Sequence, residues 1–240
     1  MWVYATYEPV AVFGLRPSNT TSSGGKSLIC PTPYAIKMAL LDRLIREKGL
    51  DAGIAWFPQI RDLAVWLRGA DTLAVTRTFQ KVFRPQQSRL DEATGRMEVW
   101  TSTIAQRELV VMAGSLTLAL GTDDPDFVGE LIVLMGGINY YGRRGSFMQL
   151  VAVSPDEVGP ERQGGFVDLR QPLSPDDLGF GFLQRMDDMR PEAEWADVDV
   201  VDGRRQSDGG RTSYTIVLPY ELRRHAFNHT VYALPGVPLR

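Results

Sequence analysis

Two well-delimited helices, each preceded and followed by β-rich sequence, most constrain the fold of this chain. The first predicted helix has Thr32 as its N-cap, Pro33 in its first turn and Gly49 at its far end. The second opens at Asp124-Pro125 and is stopped by Gly136-Gly137. In both segments the apolar residues recur on one face at helical spacing, which indicates that each helix packs one side against a core.

The segments around these helices are rich in β-branched and aromatic residues and predict strands. Those strands span 2–15, 72–83, 99–120 (two strands, broken near Gln106 or Gly114) and 146–153. A second short helix is predicted over 59–68 and a polar turn region over 84–96. The order strand, helix, strand, strand, helix, strand is that of RNA-recognition modules, so we expect an α+β fold with a ferredoxin-like core.

The last third of the chain differs in composition from the rest. Residues 154–210 carry 14 acidic against 6 basic side chains, with many Gly and Pro, and strand patterns return at 212–218 and 230–234. We therefore divide the chain into a ferredoxin-like core, 1–153, and an acidic, loop-rich β subdomain, inserted or appended, 154–240. The paired carboxylates Asp176-Asp177 and Asp187-Asp188 are interpreted as a solvated acidic face, and Trp195 as a possible mark of a protein contact.

Charge is unevenly distributed along the chain. Residues 1–90 have a net charge of +6 and residues 91–240 of −9, giving the overall −3. This asymmetry indicates a basic face on one side of the protein, although an accident of surface composition would give the same numbers.

The compartment follows from three further features. Cys30 is the only cysteine, which excludes an intrachain disulfide and disfavours a cysteine-based zinc site. The first residues lack a secretory signal pattern, and the longest apolar runs are too short to cross a bilayer. We expect a cytoplasmic protein with no membrane contact, no cofactor and no metal.

The loop from Arg16 to Ser27 is polar and rich in hydroxyl groups. Its Gly25-Lys26-Ser27 invites comparison with a nucleotide-binding phosphate loop, but Thr20 stands where that motif needs a glycine, and no helix follows directly. Amides and hydroxyls of this loop could instead hold a sugar-phosphate backbone, with Arg16 and Lys26 adding positive charge. A plain surface loop is the alternative.

The stretch from Gly136 to Phe147 is the most informative. Its four glycines let a ligand approach the backbone, Arg143 and Arg144 offer bidentate phosphate contacts, and Tyr140 and Tyr141 offer planes for base stacking. Glycine-rich loops also serve simply to end helices. The combination of glycines, arginines and aromatic residues favours RNA contact over a structural turn.

Two regions of the chain resemble the Cas-five family, part of the RAMP group of CRISPR proteins, which is built on a ferredoxin-like core. Cys30 to Leu41 is similar to the Pro-rich entry into the family's first helix, and Gly136 to Phe147 to the glycine-rich loop before a late strand. The likeness covers roughly residues 1–50 and 124–150. Residues 154–210 match no segment of the family.

The resemblance implies a role in antiviral defence, as a non-catalytic RNA-binding subunit of a type I, Cascade-like effector complex. Such a subunit binds the 5′ handle of the guide RNA and packs against the backbone and large subunits, with target DNA near its flanking motif as a further contact. A β-hairpin thumb usually kinks the RNA, and 84–96 is one candidate for it. The RNA-contacting residues predicted from the loops and the resemblance together are Arg16, Ser18, Asn19, Thr20, Lys26, Tyr34, Lys37, Tyr140, Tyr141, Arg143 and Arg144.

Two alternatives stay open. One branch of the family cuts the guide precursor, which needs a group that titrates near neutrality. The two histidines, His225 and His229, would share a face if they lay on a helix, but no carboxylate cluster adjoins them, so we interpret them as surface residues and the protein as not an enzyme. The second alternative is an assembly protein with no role in RNA binding.

Overall fold

The computed structural model describes residues 1–20, 25–91, 94–174, 181–199 and 209–239. The strands are β1 (Trp2–Pro9), β2 (Ala64–Arg68), β3 (Thr72–Asp91), β4 (Arg96–Ala113), β5 (Leu116–Gly121), β6 (Met148–Asp156), β7 (Val167–Asp168), β8 (Phe182–Met189), β9 (Arg211–Leu218), β10 (Glu221–His225) and β11 (His229–Ala233). The helices are α1 (Pro33–Lys48), α2 (Leu50–Asp62), α3 (Pro125–Gly137) and α4 (Trp195–Val198), with a short 3₁₀ turn at Pro160–Arg162. The α+β class is thereby confirmed.

The main sheet has the order β6-β1-β5-β2-β7, and every neighbouring pair in it is antiparallel. In β1 the side chains alternate, so that Val3, Ala5 and Tyr7 are fully buried while the residues between them are partly exposed. If β1, β2, β5 and β6 are numbered first to fourth along the chain, their order across the sheet is fourth, first, third, second. Helix α1 connects β1 towards β2, and α3 connects β5 to β6.

Both long helices begin and end where the sequence predicts. The Thr32 hydroxyl accepts a 3.2 Å hydrogen bond from the Ala35 amide, and Gly49 ends α1 with a φ of 88°. The Asp124 carboxylate accepts from the Asp126 amide at 3.0 Å, which caps α3. The apolar faces of the two helices join one core with the inner face of the main sheet. None of the described helices is both long and apolar enough to cross a membrane.

The predicted helix over 59–68 is wrong. The helix lies earlier, as α2, and Ala64–Arg68 forms strand β2 beside β5. Val65 and Leu67 point into the core, and the residues on either side of them are more exposed. The same apolar residues also fit a helical spacing, so the pattern was ambiguous, and the edge of an existing sheet decided it in favour of a strand.

The predicted turn region over 84–96 is also wrong, because most of it is strand. β3 runs on to Asp91 and β4 starts at Arg96, so the two form a hairpin of 20 and 18 residues. Its outer part has polar side chains on strands with no core on either face, and therefore shows no alternation of apolar and polar residues. The predicted break at Gly114 is confirmed, since that residue has a φ of 96° between β4 and β5.

The chain after 153 contributes to both larger sheets. The predicted boundary falls inside β6, and β7 extends the main sheet by pairing with β2. Strands β10 and β11 join the hairpin in a second sheet of order β10-β11-β3-β4. Strands β8 and β9 pair with each other, and β8 lies against α1. The strand patterns predicted at 212–218 and 230–234 correspond to β9 and β11.

Candidate nucleic-acid interface

A cleft of about 630 Å³ lies between the first loop, helix α1 and the loop that follows α3. Two segments that are far apart in sequence and were predicted separately to contact RNA thus meet in one place. Five arginines line it and define what we call the arginine cleft: Arg16, Arg43, Arg46, Arg144 and Arg211. Its two acidic lining residues are Asp42 and Asp187, so positive charge predominates.

The first loop is held by backbone contacts at both of its ends. The Leu28 amide donates to the Leu15 carbonyl at 2.8 Å, and the Leu15 amide donates to the Ser27 hydroxyl at 3.1 Å. Further along, the Glu108 amide on β4 donates to the carbonyl of Gly25. A Cβ at Gly25 would lie only 2.2 Å from the Gln106 carbonyl oxygen, so only glycine allows the loop to approach β4 this closely.

The loop after α3 is fixed against the first loop. The Ser146 hydroxyl accepts a 3.0 Å hydrogen bond from the Gly14 amide, and Gly142, at a φ of 82°, packs against Leu15. At the end of α3, Gly137 leaves room for the guanidinium of Arg43, because a Cβ there would lie 2.1 Å from Arg43 Nε. The glycines of this stretch therefore let the backbone and an arginine pack closely.

Several of the cleft arginines are oriented by neighbouring groups. Arg43 is paired with Glu47, and Arg46 with Asp42 at 2.8 Å, which raises the pKa of Arg46. The guanidinium of Arg211 lies 4.1 Å from the ring centroid of Tyr34, a cation–π contact. The Nε groups of Arg43 and Arg211 are buried and have no hydrogen-bond partner among the described residues. Such donors favour an anionic ligand that can accept from them.

Five of the predicted residues line the cleft, namely Arg16, Ser18, Tyr34, Tyr140 and Arg144. The Tyr34 hydroxyl donates to the Gly209 carbonyl and Arg211 covers its ring, so this tyrosine shapes the wall. Tyr140 is half-buried and packs edge-on against Phe147 at 6.5 Å. Its position suits stacking with a base inside the cleft.

The other predicted residues lie outside the cleft lining. Asn19, Lys26 and Arg143 are exposed and remain predicted RNA contacts at its margins. Thr20 is half-buried, and its hydroxyl donates to the Pro17 carbonyl at 2.9 Å.

Lys37 and Tyr141 cannot contact RNA as predicted, because both are buried. Lys37 is 1% exposed, and its ammonium bonds to Asp188 and to the Arg61 carbonyl, each at 2.7 Å. Burial lowers the pKa of Lys37 and raises that of Asp188, and the attraction between the two charges opposes both shifts. Tyr141 is 0% exposed, and its hydroxyl donates to that of Tyr7 at 2.8 Å.

The prediction of a solvated acidic face is wrong for Asp187 and Asp188, which are both buried on β8. Two adjacent carboxylates on a strand point to opposite faces, and here each finds its own partners. Asp188 pairs with Lys37, whereas Asp187 accepts hydrogen bonds from Ser18 and Ser213. Asp176 and Asp177 lie outside the described residues. Trp195, the predicted mark of a protein contact, is half-buried and packs edge-on against Phe57 at 6.1 Å.

The two histidines lie on strands, not on a helix. His225 ends β10 and bonds to the Thr230 hydroxyl at 3.0 Å, while His229 begins β11 and bonds to the Asn228 amide oxygen at 2.9 Å. Among the described residues, no group of three or more His, Cys, Asp or Glu side chains is placed to hold a metal ion.

Sequence reasoning missed three cleft arginines. Arg43 and Arg46 lie three residues apart on the polar side of α1, a spacing that places them on one face. That spacing could have revealed them, but an exposed helix commonly carries such residues. Arg211 comes from β9, in the predicted acidic subdomain 154–240, and no signal in the sequence brings β9 to α1.

The hairpin of β3 and β4 presents apolar side chains to solvent. Phe79 and Phe83 lie on one face with Lys81, whose ammonium is 5.4 Å from the Phe83 ring centroid. Ile104 and Trp100 are opposite Lys81 and Pro85 in the register, so they share that face. Large apolar surfaces that stay exposed on a protein mark an interaction site.

Solved structures that resemble this chain are CRISPR proteins. A CRISPR protein from Archaeoglobus fulgidus has a TM-score of 0.42 and 12% identity, covering 98% of this chain and 93% of the other. A chain of a CRISPR RNA-guided surveillance complex has a TM-score of 0.39 and 12% identity, covering 91% and 90%. At such low scores these likenesses carry no conclusion about function. No protein-family model matches the chain.

The resemblance in sequence is more specific. The chain is 25% identical over 153 residues to the CRISPR-associated protein Cas5 of Archaeoglobus fulgidus, covering 63% of this chain and 64% of that protein. It therefore spans just under two thirds of the length of this curated relative. The predicted resemblance to the Cas-five family is thereby confirmed.

Proposed function

We propose that this protein is an RNA-binding subunit of a CRISPR effector complex and that it holds the 5′ handle of the guide RNA in the arginine cleft. One observation carries the proposal: the first loop, α1 and the glycine-rich loop converge on a single cleft lined by five arginines. The sequence similarity to Cas5 supports the proposal, because α1 and the glycine-rich loop are also the elements whose motifs resemble that family.

We also propose that the core is the ferredoxin-like fold of RAMP proteins. The strand order β6-β1-β5-β2, with α1 and α3 as its connecting helices, supports this assignment. In this arrangement the hairpin of β3 and β4 is an insertion between the second and third strands of the core.

The cleft supplies two kinds of contact to a single-stranded RNA. Arginine guanidinium groups donate pairs of hydrogen bonds to phosphate oxygens, which fixes the path of the backbone without regard to sequence. Tyr140 offers a ring on which one base can stack.

The hairpin is proposed to be the thumb of the subunit, with its exposed apolar face directed at a neighbouring protein. Phe79, Phe83 and Ile104 are more than half exposed there, although such side chains are normally buried. The partners proposed are the backbone and large subunits of the complex. Contact with target DNA near its flanking motif is a further proposal of the same kind.

We propose that the protein is not a nuclease. His225 and His229 lie on the second sheet, where their Nδ1 atoms bond to Thr230 and Asn228, and neither lines the arginine cleft. A handle precursor incubated with the protein should stay intact. Specific cleavage that disappears in His225→Ala or His229→Ala would establish the alternative, a guide-processing endoribonuclease.

The glycine-rich loop provides a matched pair of variants to test the RNA site. Arg144 lines the cleft, and its neighbour Arg143 does not. In a titration of handle RNA at several salt concentrations, Arg144→Ala should lower the affinity and reduce the salt slope by about 0.7 for one lost phosphate contact on a single strand. Arg143→Ala should have a smaller effect. Equal, unchanged binding by both variants and by the parent would contradict the proposed site.

A further inference from the structure

Asp187 is an unexpected group to find in a cleft that binds phosphate. It lies on β8, lines the arginine cleft and is 8% exposed. A carboxylate repels phosphate, so its presence weakens the binding of any polyanion that passes close to it. Among the described residues it has no ion-pair partner that would cancel this repulsion.

Two hydroxyl groups fix the orientation of this carboxylate. Its Oδ1 accepts a 2.9 Å hydrogen bond from Ser18 of the first loop and a 2.7 Å hydrogen bond from Ser213 of β9. Both donors are neutral, so they orient the group and leave its charge in place. A charged acceptor held in one geometry from two sides is suited to recognising a donor on a ligand.

The second carboxylate oxygen is available for that role. No described side chain or amide donates a hydrogen bond to Asp187 Oδ2. An ionised carboxylate can only accept, so a ligand group that binds there must carry a donor proton. Phosphate diesters carry none, whereas the ribose 2′-hydroxyl carries one on every nucleotide of RNA and is absent from DNA.

We propose that Asp187 is a specificity-determining residue that accepts a hydrogen bond from a ribose 2′-hydroxyl in the cleft and so makes the site select RNA over DNA. This inference rests on the proposed function. The five arginines contact phosphates, which RNA and DNA share, and therefore cannot make the selection themselves. The sugar of DNA offers the carboxylate no such donor, so only the repulsion of the phosphates remains there.

The test compares a handle RNA with an all-deoxy strand of the same sequence. The parent should bind the RNA about 10- to 100-fold more tightly, as a hydrogen bond to a charged acceptor gives. Asp187→Ala should bring the two affinities close together, because RNA loses its hydrogen bond and DNA is no longer repelled by the carboxylate. Asp42→Asn removes the other cleft carboxylate, which pairs with Arg46, and should keep the parent's selectivity. Ser213→Ala removes one supporting hydroxyl but keeps the charge of Asp187, so this variant should keep most of the preference for RNA over DNA.

A second measurement uses the parent protein alone. RNAs with one 2′-deoxy nucleotide at each position in turn should lose affinity mainly at a single position, and that position should lose its effect in Asp187→Ala. The inference is overturned if the parent binds RNA and DNA equally, if Asp187→Ala keeps the full preference, or if the loss is spread evenly along the strand. Failure of the parent to bind either strand would instead overturn the proposed function itself.

Discussion

The hydroxyl of Tyr141 donates to the hydroxyl of Tyr7 at 2.8 Å, and that of Tyr7 in turn donates to the Met135 carbonyl at 2.8 Å. This buried chain joins the glycine-rich loop to the first strand and to the end of α3. The two rings meet edge-on with centroids 5.3 Å apart. The loop that carries Tyr140 and Arg144 is therefore fixed from inside the core by its own tyrosine.

The direction of this chain predicts unequal effects of two similar substitutions. Tyr7→Phe leaves the buried Tyr141 hydroxyl without an acceptor and should lower the free energy of unfolding by about 1–3 kcal/mol. Tyr141→Phe removes only the outermost donor and should cost about 0.5–1.5 kcal/mol. Urea denaturation of the two single variants and the double variant measures both values. A larger loss for Tyr141→Phe would show that the hydrogen bonds run the other way.

The neighbouring tyrosines 140 and 141 should separate binding from stability. Tyr140→Ala removes a ring from the cleft and should weaken handle binding by about 1–3 kcal/mol through lost stacking, with an unchanged salt slope. Tyr141→Phe, the matched control, should alter unfolding and leave RNA affinity close to that of the parent. Titrations with the same RNA decide this, and equal affinities for Tyr140→Ala and the parent would remove Tyr140 from the site.

The buried pair of Lys37 and Asp188 connects α1 to β8, on the side of the helix away from the cleft arginines. Lys37→Met or Asp188→Leu alone leaves one charge buried without its partner, which should lower the free energy of unfolding by about 3–5 kcal/mol. The double variant has no buried charge and should be more stable than either single variant. Thermal unfolding of the three proteins tests this, and strictly additive losses would show that the two groups do not interact.

Burial raises the pKa of the Cys30 thiol from its ordinary 9.0 to about 12, although a hydrogen bond from Gln184 opposes the shift. Because the pKa is higher in the folded than in the unfolded state, the contribution of this thiol to stability is complete below pH 9 and is lost as the pH rises towards 12. At pH 8 the native thiol should resist iodoacetamide, and denaturant should expose it to rapid labelling. Mass spectrometry after brief exposure measures this, and labelling of the native protein at the denatured rate would place Cys30 at the surface.

The parts of the fold that sequence predicts well are those set by local chemistry. Thr32, Gly49 and Asp124 act through their own backbone neighbours, so both long helices could be placed from these residues. The strand at Ala64–Arg68 forms by pairing with β5, which lies more than 40 residues later in the chain. A local pattern that fits helix and strand alike could not decide the secondary structure of this segment. The strands predicted for the long hairpin are too short for a similar reason, since the outer part of the hairpin contacts no core.

Sequence predicts only some of the residues that line the cleft. Arg16 and Arg144 belong to loops whose composition marks them. Asp187 reaches the cleft only because β8 packs against α1, and Arg211 only because β9 pairs with β8. Tyr141 and Lys37 show the opposite error: their residue types suit RNA, but the fold turns both inward. Side-chain type indicates what a residue can bind, and only the packing of distant segments determines whether it is exposed.

The exposed face of the hairpin should matter for assembly and not for folding. Phe83 and Ile104 are 61% and 73% exposed, so changing both to Ser buries no polar group and opens no cavity, and the free energy of unfolding should change by less than about 0.5 kcal/mol. Incorporation into a reconstituted effector complex should fall, because the apolar surface offered to the neighbouring subunit is lost.

Val82 lies next to Phe83 but points to the opposite face of the hairpin, so Val82→Ser is the matched control and should assemble as the parent does. Size-exclusion chromatography of the mixed subunits with guide RNA gives the incorporated fraction. Normal assembly of the Phe83→Ser/Ile104→Ser protein would show that this face does not bind a neighbouring subunit.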